Sequence, residues 1–284
     1  MRIACCLLMM LVMLLFPDST GGAARSALQT WVLSVVPSLF PYMVLCRMLA
    51  SQLAGSRLPP ALLVAALGLA GGTPSGAATL SGYARSGRLR RDALLPLCAL
   101  TGTISPMFVL NTAGGWLGEP RLARCLLAAH LLGAVLSAVL VKAFVRRGPS
   151  PKEALPDHSS SGSPGDPIRE SVRAILSVGG CIVFYSVVAE GLSLLLPLYD
   201  KAAAVLHGVL EAAGGAHAIC TVGFSKDAQA LLTSAVLGFS GVSILAQNSL
   251  FVRDSGVTMR ELILLGFLRA SLSALLMAAF LVIV

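Results

Sequence analysis

Gly71-Gly72-Thr73-Pro74-Ser75-Gly76-Ala77 interrupts an otherwise apolar part of the chain. An apolar run, Ala61 to Ala70, leads into it, and a small-residue run, Ala77 to Ser86, leads out. Two adjacent glycines accept backbone conformations closed to other residues. Thr73 is a capping residue type and Pro74 suits a first helical turn, so the pattern predicts a break followed by a fresh helix start. Neither flanking run reaches the ~20 apolar residues needed to cross a bilayer. A helix that starts at membrane depth presents free N–H groups and a positive dipole end. Irregular backbone at that depth is tolerated only inside protein or against a cavity. Broken helices of this kind hold the substrate in many transporters; the plainer alternative is a Gly/Pro turn between two interfacial helices.

Outward from this stretch, the composition defines the solvent. The 284 residues are 56% hydrophobic and only 12% charged, with a mean hydropathy of +0.84. That is the profile of an all-α polytopic membrane protein whose first partner is the lipid bilayer. The net charge of +8 sits in loops, and no aromatic-basic pattern accompanies it, so no nucleic acid is expected as a partner. The seven cysteines (Cys5, Cys6, Cys46, Cys98, Cys125, Cys181 and Cys220) form no C-x-x-C and no Cys/His cluster at metal spacing. They read as small buried hydrophobes, with no metal and no cofactor expected. Glu190, Glu211, His207 and His217 could be assembled into an acid–base set, but no spacing argues for one, and the chain is not read as an enzyme.

In chain order, residues 1–27 form an N-terminal span or a signal-like segment, residues 28–147 a first membrane repeat, residues 148–167 a cytoplasmic flexible linker rich in Pro, Ser and Gly, and residues 168–284 a second membrane repeat. Leu28 to Ala50 is a clear span in which Pro37 and Pro41 predict a kink or an unwound, coordinating segment. Pro60 to Tyr83 is the broken segment, and Asp92 is placed to cap the next helix. Ala93 to Trp116 carries Thr101, Thr103, Ser105 and Pro106, then Asn111 and Thr112, an unusual density of polar groups for an apolar run. They either bond helix to helix or line a polar site. His130 lies in the plain span Leu122 to Val145, as a packed hydrogen-bonding group or a proton relay.

The second half has the same order of features. Gly71-Gly72 rhymes with Gly214-Gly215, and Asn111 with Asn248. Placing the Arg85–Arg91 loop in the cytoplasm puts fifteen of the 21 Lys and Arg residues inside and five outside, with Arg269 in the membrane. That bias obeys the positive-inside rule. It brings the first broken segment in from the cytoplasm and the second from outside, so the halves read as two inverted repeats with re-entrant or broken helices.

Three groups of residues carry a family resemblance: Pro37-Ser38-Leu39-Phe40-Pro41, the Gly71–Ala77 stretch with the Thr101–Asn111 run, and Gly238-Phe239-Ser240-Gly241-Val242-Ser243-Ile244-Leu245-Ala246-Gln247 with Leu210-Glu211 and Gly214. The sequence resembles the nucleoside recognition (Gate) domain membrane proteins, and within them the YlbJ/SpoVV-like sporulation integral membrane proteins. The resemblance implies a fold distantly like concentrative nucleoside transporters, a place in the cell membrane (the outer forespore membrane), and movement of dipicolinic acid during sporulation. Its polar span departs from the Asn/Ser-rich run expected of the family. On this reading the chain transports a small, anionic organic solute. The substrate-binding candidates are Gly72, Thr73, Pro74, Ser75, Gly76, Thr101, Thr103, Ser105, Asn111, Ser240, Ser243, Gln247, Asn248 and Arg269. Ser240, Ser243 and Gln247 are expected on one helix face. Arg269 is expected to neutralise the anion or to pair with Glu190 or Glu211, since a buried membrane charge needs a partner. A coupling proton or sodium ion and a homo-oligomer are compatible with this reading. A non-transporting scaffold of a sporulation membrane and a nucleoside transporter are its alternatives.

Overall fold

A computed structural model of the chain describes residues 2–53, 56–144, 166–196 and 198–283. Its elements are helical throughout, and no strand occurs among the described residues. They are α1 (Arg2–Leu15), α2 (Pro17–Thr30), α3 (Val36–Leu53), α4 (Pro60–Gly71), α5 (Ser75–Arg85), α6 (Arg91–Thr101), α7 (Gly114–Leu117), α8 (Pro120–Phe144), α9 (Pro167–Leu195), α10 (Asp200–Leu210), α11 (Ala212–Thr221), α12 (Lys226–Phe239), α13 (Gly241–Val252) and α14 (Met259–Ile283). Proline at the first position of α4, α8 and α9 is at home there, because that N–H has no intrahelical partner. Five stretches are long and apolar enough to cross a membrane: Pro17–Leu53, Pro120–Phe144, Pro167–Leu195, Lys226–Ser255 and Met259–Ile283. The chain is a polytopic helical membrane protein.

The distribution of side chains is that of a protein dissolved in lipid. Leu33, Phe144 and Leu275 stand 74%, 85% and 67% exposed on long helices, while Thr103, Ser137, Thr233 and Ser234 are fully buried. In water such apolar exteriors would drive association; in hydrocarbon they cost nothing and the polar groups turn inward. The Lys226–Ser255 stretch is the interior one, with 67% of its apolar window buried against 22–39% for the other four.

Two helical hairpins lie inside the long helices. α4 has 12 residues and α10 has 11, so each rises ~16–18 Å, about half of a ~30 Å hydrocarbon core. Lys201, at the start of the α10–α11 hairpin, holds its ammonium 5.1 Å from the Phe224 ring at the hairpin's end, so the two ends of the hairpin lie together. Close helix contact inside it is made by Gly208 against Gly215.

Several local expectations change. The 27/28 boundary falls inside the continuous helix Pro17–Leu53. Pro37 and Pro41 do not unwind it. The ladder instead widens into a π stretch over Trp31–Val35, where the Val36 N–H bonds the Trp31 carbonyl, just ahead of the N–H that Pro37 lacks. A second π stretch, Phe108–Ala113, lies against the first: the Thr112 hydroxyl donates to the Ser34 carbonyl at 3.2 Å and contacts the Ser38 hydroxyl at 2.9 Å. Thr73 does not cap α5, whose N-cap is Pro74 without a side-chain bond. Asp92 sits in the first turn of α6, paired with Arg90 at 3.0 Å, and is not its cap. The predicted linker, 148–167, lies outside the described residues except for Asp166 and Pro167, which open α9. There Asp166 accepts the Ile168 N–H at 3.0 Å.

Candidate functional site

Two pairs of helix breaks cross inside the bundle. In the first, Gly72 takes φ 61° between α4 and α5 and lies against the backbone of Ser105, where a Cβ would overlap. Only glycine fits both the conformation and the contact. The Thr73 N–H donates to the Thr103 carbonyl at 2.8 Å, so the break between α4 and α5 is bonded to the break that follows α6. His130, from α8, holds the same region through its Nε2 at 3.1 Å from the Ile104 carbonyl.

The second crossing is built differently. α10 ends at Leu210 and α11 starts at Ala212, with Glu211 between them. The Glu211 carboxylate turns back onto α11, accepting the Ala213 N–H at 2.9 Å and the Gly214 N–H. An anion on a helix N-terminus is stabilised by unpaired N–H groups and the dipole. α12 and α13 are separated by Ser240 at φ 74°; Gly241, which opens α13, has φ 73°, and a Cβ on it would lie 2.9 Å from the Ala212 nitrogen. The two crossings are joined by the Ser240 hydroxyl, which donates to the Gly102 carbonyl at 3.2 Å.

Arg269 locks this junction. Its Nε donates to the Gly238 carbonyl at 3.1 Å, Nη1 to the Ala99 carbonyl at 3.5 Å and Nη2 to the Ser240 hydroxyl at 3.4 Å. Ala99 and Gly238 lie in the last turns of α6 and α12, where carbonyls lack intrahelical partners and the dipole is negative. The expected pairing with Glu190 or Glu211 is therefore corrected. Among the described residues no carboxylate lies within ion-pair distance of Arg269, because two helix C-termini take its charge. Glu211 is engaged with α11, and Glu190 is half-buried on α9.

Between the crossings lies a cavity of about 50 Å³. Its polar lining is Thr73, Ser105, Glu211, Ser243 and Gln247. Ser105 brings a buried hydroxyl with no partner. The apolar lining includes Val35 and Leu39 from the first long helix and Val178 and Ile182 from α9. Pro74 and Gln247 also line a larger space of about 390 Å³, with Arg47, Glu170, Arg173 and Phe251. Ser75 faces another space of about 390 Å³ that shares Arg47, Ala78 and Glu170 with it. The consecutive residues Thr73, Pro74 and Ser75 thus stand at the meeting point of three spaces. Arg47 bonds Glu170 at 2.7 Å between the two outer ones. With the two side chains 21% and 45% exposed, such a pair contributes on the order of 0–1 kcal/mol.

The sequence candidates divide accordingly. Thr73, Ser105, Ser243 and Gln247 reach the central cavity, as does Glu211, expected from the sequence as a charge partner of Arg269. Pro74 and Ser75 line the outer spaces. Gly72, Gly76, Thr101 and Thr103 make the first crossing: Thr101 packs on Gly68 and Gly76, and the Thr103 hydroxyl bonds the Leu100 carbonyl at 2.9 Å. Ser240 is not on the face of Ser243 and Gln247, because the helix breaks at it. Asn248 is buried beside Gly102. Asn111 is exposed, with its amide against the Met107 sulfur at 3.7 Å. Arg269 does not line the cavity. The Arg47–Glu170 pair joins residues 123 apart that no sequence spacing relates, and the Val178 and Ile182 wall carries no signal within an apolar span.

The fold and site define a class: a multi-pass helical membrane protein with a partly polar internal cavity at crossed helix breaks. No family model matches the chain, and no solved structure matches it. It is similar to the sporulation integral membrane protein YlbJ of Bacillus subtilis (strain 168), at 24% identity over 312 aligned positions that cover 91% of this chain and 76% of the relative. That relative is, by name, an integral membrane protein of sporulation, in keeping with the multi-pass architecture here.

Proposed function

We propose that the chain is a secondary transporter of a small organic solute. The observation that carries this reading is the convergence of Thr73, Ser105, Glu211, Ser243 and Gln247 on one cavity at the crossed breaks. A scaffold has no need of backbone breaks held open around a cavity with a buried hydroxyl that lacks a partner, whereas a solute site does. The hairpins α4–α5 and α10–α11 are on this reading re-entrant, entering from opposite faces, and the halves are inverted repeats. The positive-inside count and the shared order of long helix, hairpin, broken helix and long helix support it.

Glu211 is the charged side chain lining the central cavity. A carboxylate solute beside it would meet like charge in a low-dielectric site, so such a solute moves with a proton or sodium ion that neutralises the pair. The resemblance to the Gate-domain and YlbJ/SpoVV-like sporulation proteins makes dipicolinic acid the solute to test first, at the outer forespore membrane. Nucleosides are the comparison set.

Thermal unfolding of the purified protein in neutral detergent tests binding directly, because a ligand of the native state raises the melting temperature by mass action. Dipicolinic acid should stabilise the wild type and leave Ser243→Trp, with its cavity filled, unshifted. Stabilisation that Ser243→Trp retains would place binding elsewhere. No shift with dipicolinic acid, nucleosides or other small carboxylates would favour the scaffold.

A further inference from the structure

The two outer spaces adjoin the central cavity and carry a different chemistry. Each is about 390 Å³, against about 50 Å³ at the crossing. Arg47 borders both, Arg85 borders one and Arg173 the other. Glu170 is the acid between them, held by Arg47 through Nη1 alone, while the Arg47 Nε is buried and has no partner. Arg47 therefore has donors to spare, and its guanidinium fork matches a carboxylate. The space reached by Arg173 also has apolar walls, from Ala174, Leu250 and Phe251, and ends on Pro74 and Gln247, the latter shared with the central cavity.

We propose that these spaces form a capture site for a small organic carboxylate with an apolar body, in which the incoming carboxylate replaces Glu170 on Arg47 and frees the way to Gln247. The inference rests on the transporter reading and adds the residue that receives the solute. An ion pair as exposed as Arg47–Glu170 holds two helices together only weakly, so an anion competes with it readily. The apolar walls select against small inorganic anions, and the arginines select against neutral analogues.

The test uses the full-length protein in neutral detergent, with benzoate as the probe and benzamide as its neutral match. Calorimetry gives the affinity, and mass spectrometry gives the rate at which N-ethylmaleimide alkylates Cys46, a native half-buried thiol lining the first space. Benzoate should bind and slow Cys46 alkylation, and benzamide should do neither. Arg47→Gln should weaken benzoate about tenfold or more. Glu170→Gln removes the internal competitor and should tighten it. Loss of affinity in Glu170→Gln equal to that in Arg47→Gln would make the pair a structural lock and overturn the proposal. So would benzoate affinity indifferent to Arg47, or protection of Cys46 by phosphatidylglycerol in nanodiscs to which benzoate adds nothing. Neither readout requires transport. Absent flux in proteoliposomes would thus count against the transporter reading alone, and absent benzoate binding with flux intact against the capture site alone.

Discussion

The Ser240 hydroxyl donates to the Gly102 carbonyl at 3.2 Å, across 138 residues of sequence, and binds the broken helix of the second half to that of the first. Ser240 also holds φ 74°, a conformation that L-residues other than Asn or Asp rarely adopt. The two facts separate in variants. Ser240→Ala keeps the strained backbone and loses the bond, a loss of about 1 kcal/mol or more. Ser240→Gly loses the same bond but releases about 1 kcal/mol of backbone strain. Thermal unfolding in detergent should rank wild type and Ser240→Gly close together and Ser240→Ala below both.

Gly72 gives a second ranking. An alanine there meets the positive φ and the Ser105 backbone at once, whereas Gly82 in the middle of α5 has open space around its missing Cβ. Gly72→Ala should lower stability by well over 1 kcal/mol, and Gly82→Ala should leave it unchanged or raise it by about 0.5–1 kcal/mol. Yield of folded protein after solubilisation, followed by melting curves, reads both.

Arg269 is held by two helix C-termini and a hydroxyl, so its removal leaves buried carbonyls without donors. Arg269→Met should cost at least about 3 kcal/mol, and Arg269→Lys somewhat less, because a single ammonium cannot span the three acceptors. A double-mutant cycle with Glu211→Gln should show coupling near zero, which an Arg269–Glu211 ion pair would not.

Glu211 acts on α11 as a cap. Glu211→Ala should destabilise by about 0.5–2 kcal/mol, and Glu211→Asn, another good capping residue, should recover most of it. If the same carboxylate is the coupling site, solute movement is lost in both variants, whatever their stability.

How much of this was legible in the sequence follows from what each feature needs. The hairpin α4–α5 was readable because its break is written in Gly and Pro, and the structure places it within a residue or two of Ala61–Ala70 and Ala77–Ser86. Ser243 and Gln247 were readable because polar groups in an apolar run announce themselves. The break at Ser240 was not, because a serine with positive φ has no composition signal; only the adjacent Gly241 hinted at it. The partner of Arg269 was misjudged because a charge is expected to seek a charge, while helix ends supply backbone acceptors that no side-chain pattern reveals. Asn111 stands out in the sequence as an amide in an apolar run, but composition does not say which way a helix turns it: Asn111 is exposed, while Asn248 is buried.

The most direct measurement is uptake of radiolabelled dipicolinic acid into proteoliposomes, with wild type beside Ser243→Trp and both checked for equal melting temperatures. Flux is expected in the wild type and is abolished when the cavity is filled. Flux that survives Ser243→Trp, or none for dipicolinic acid, nucleosides and other small carboxylates alike, would contradict a solute pathway through the crossed breaks.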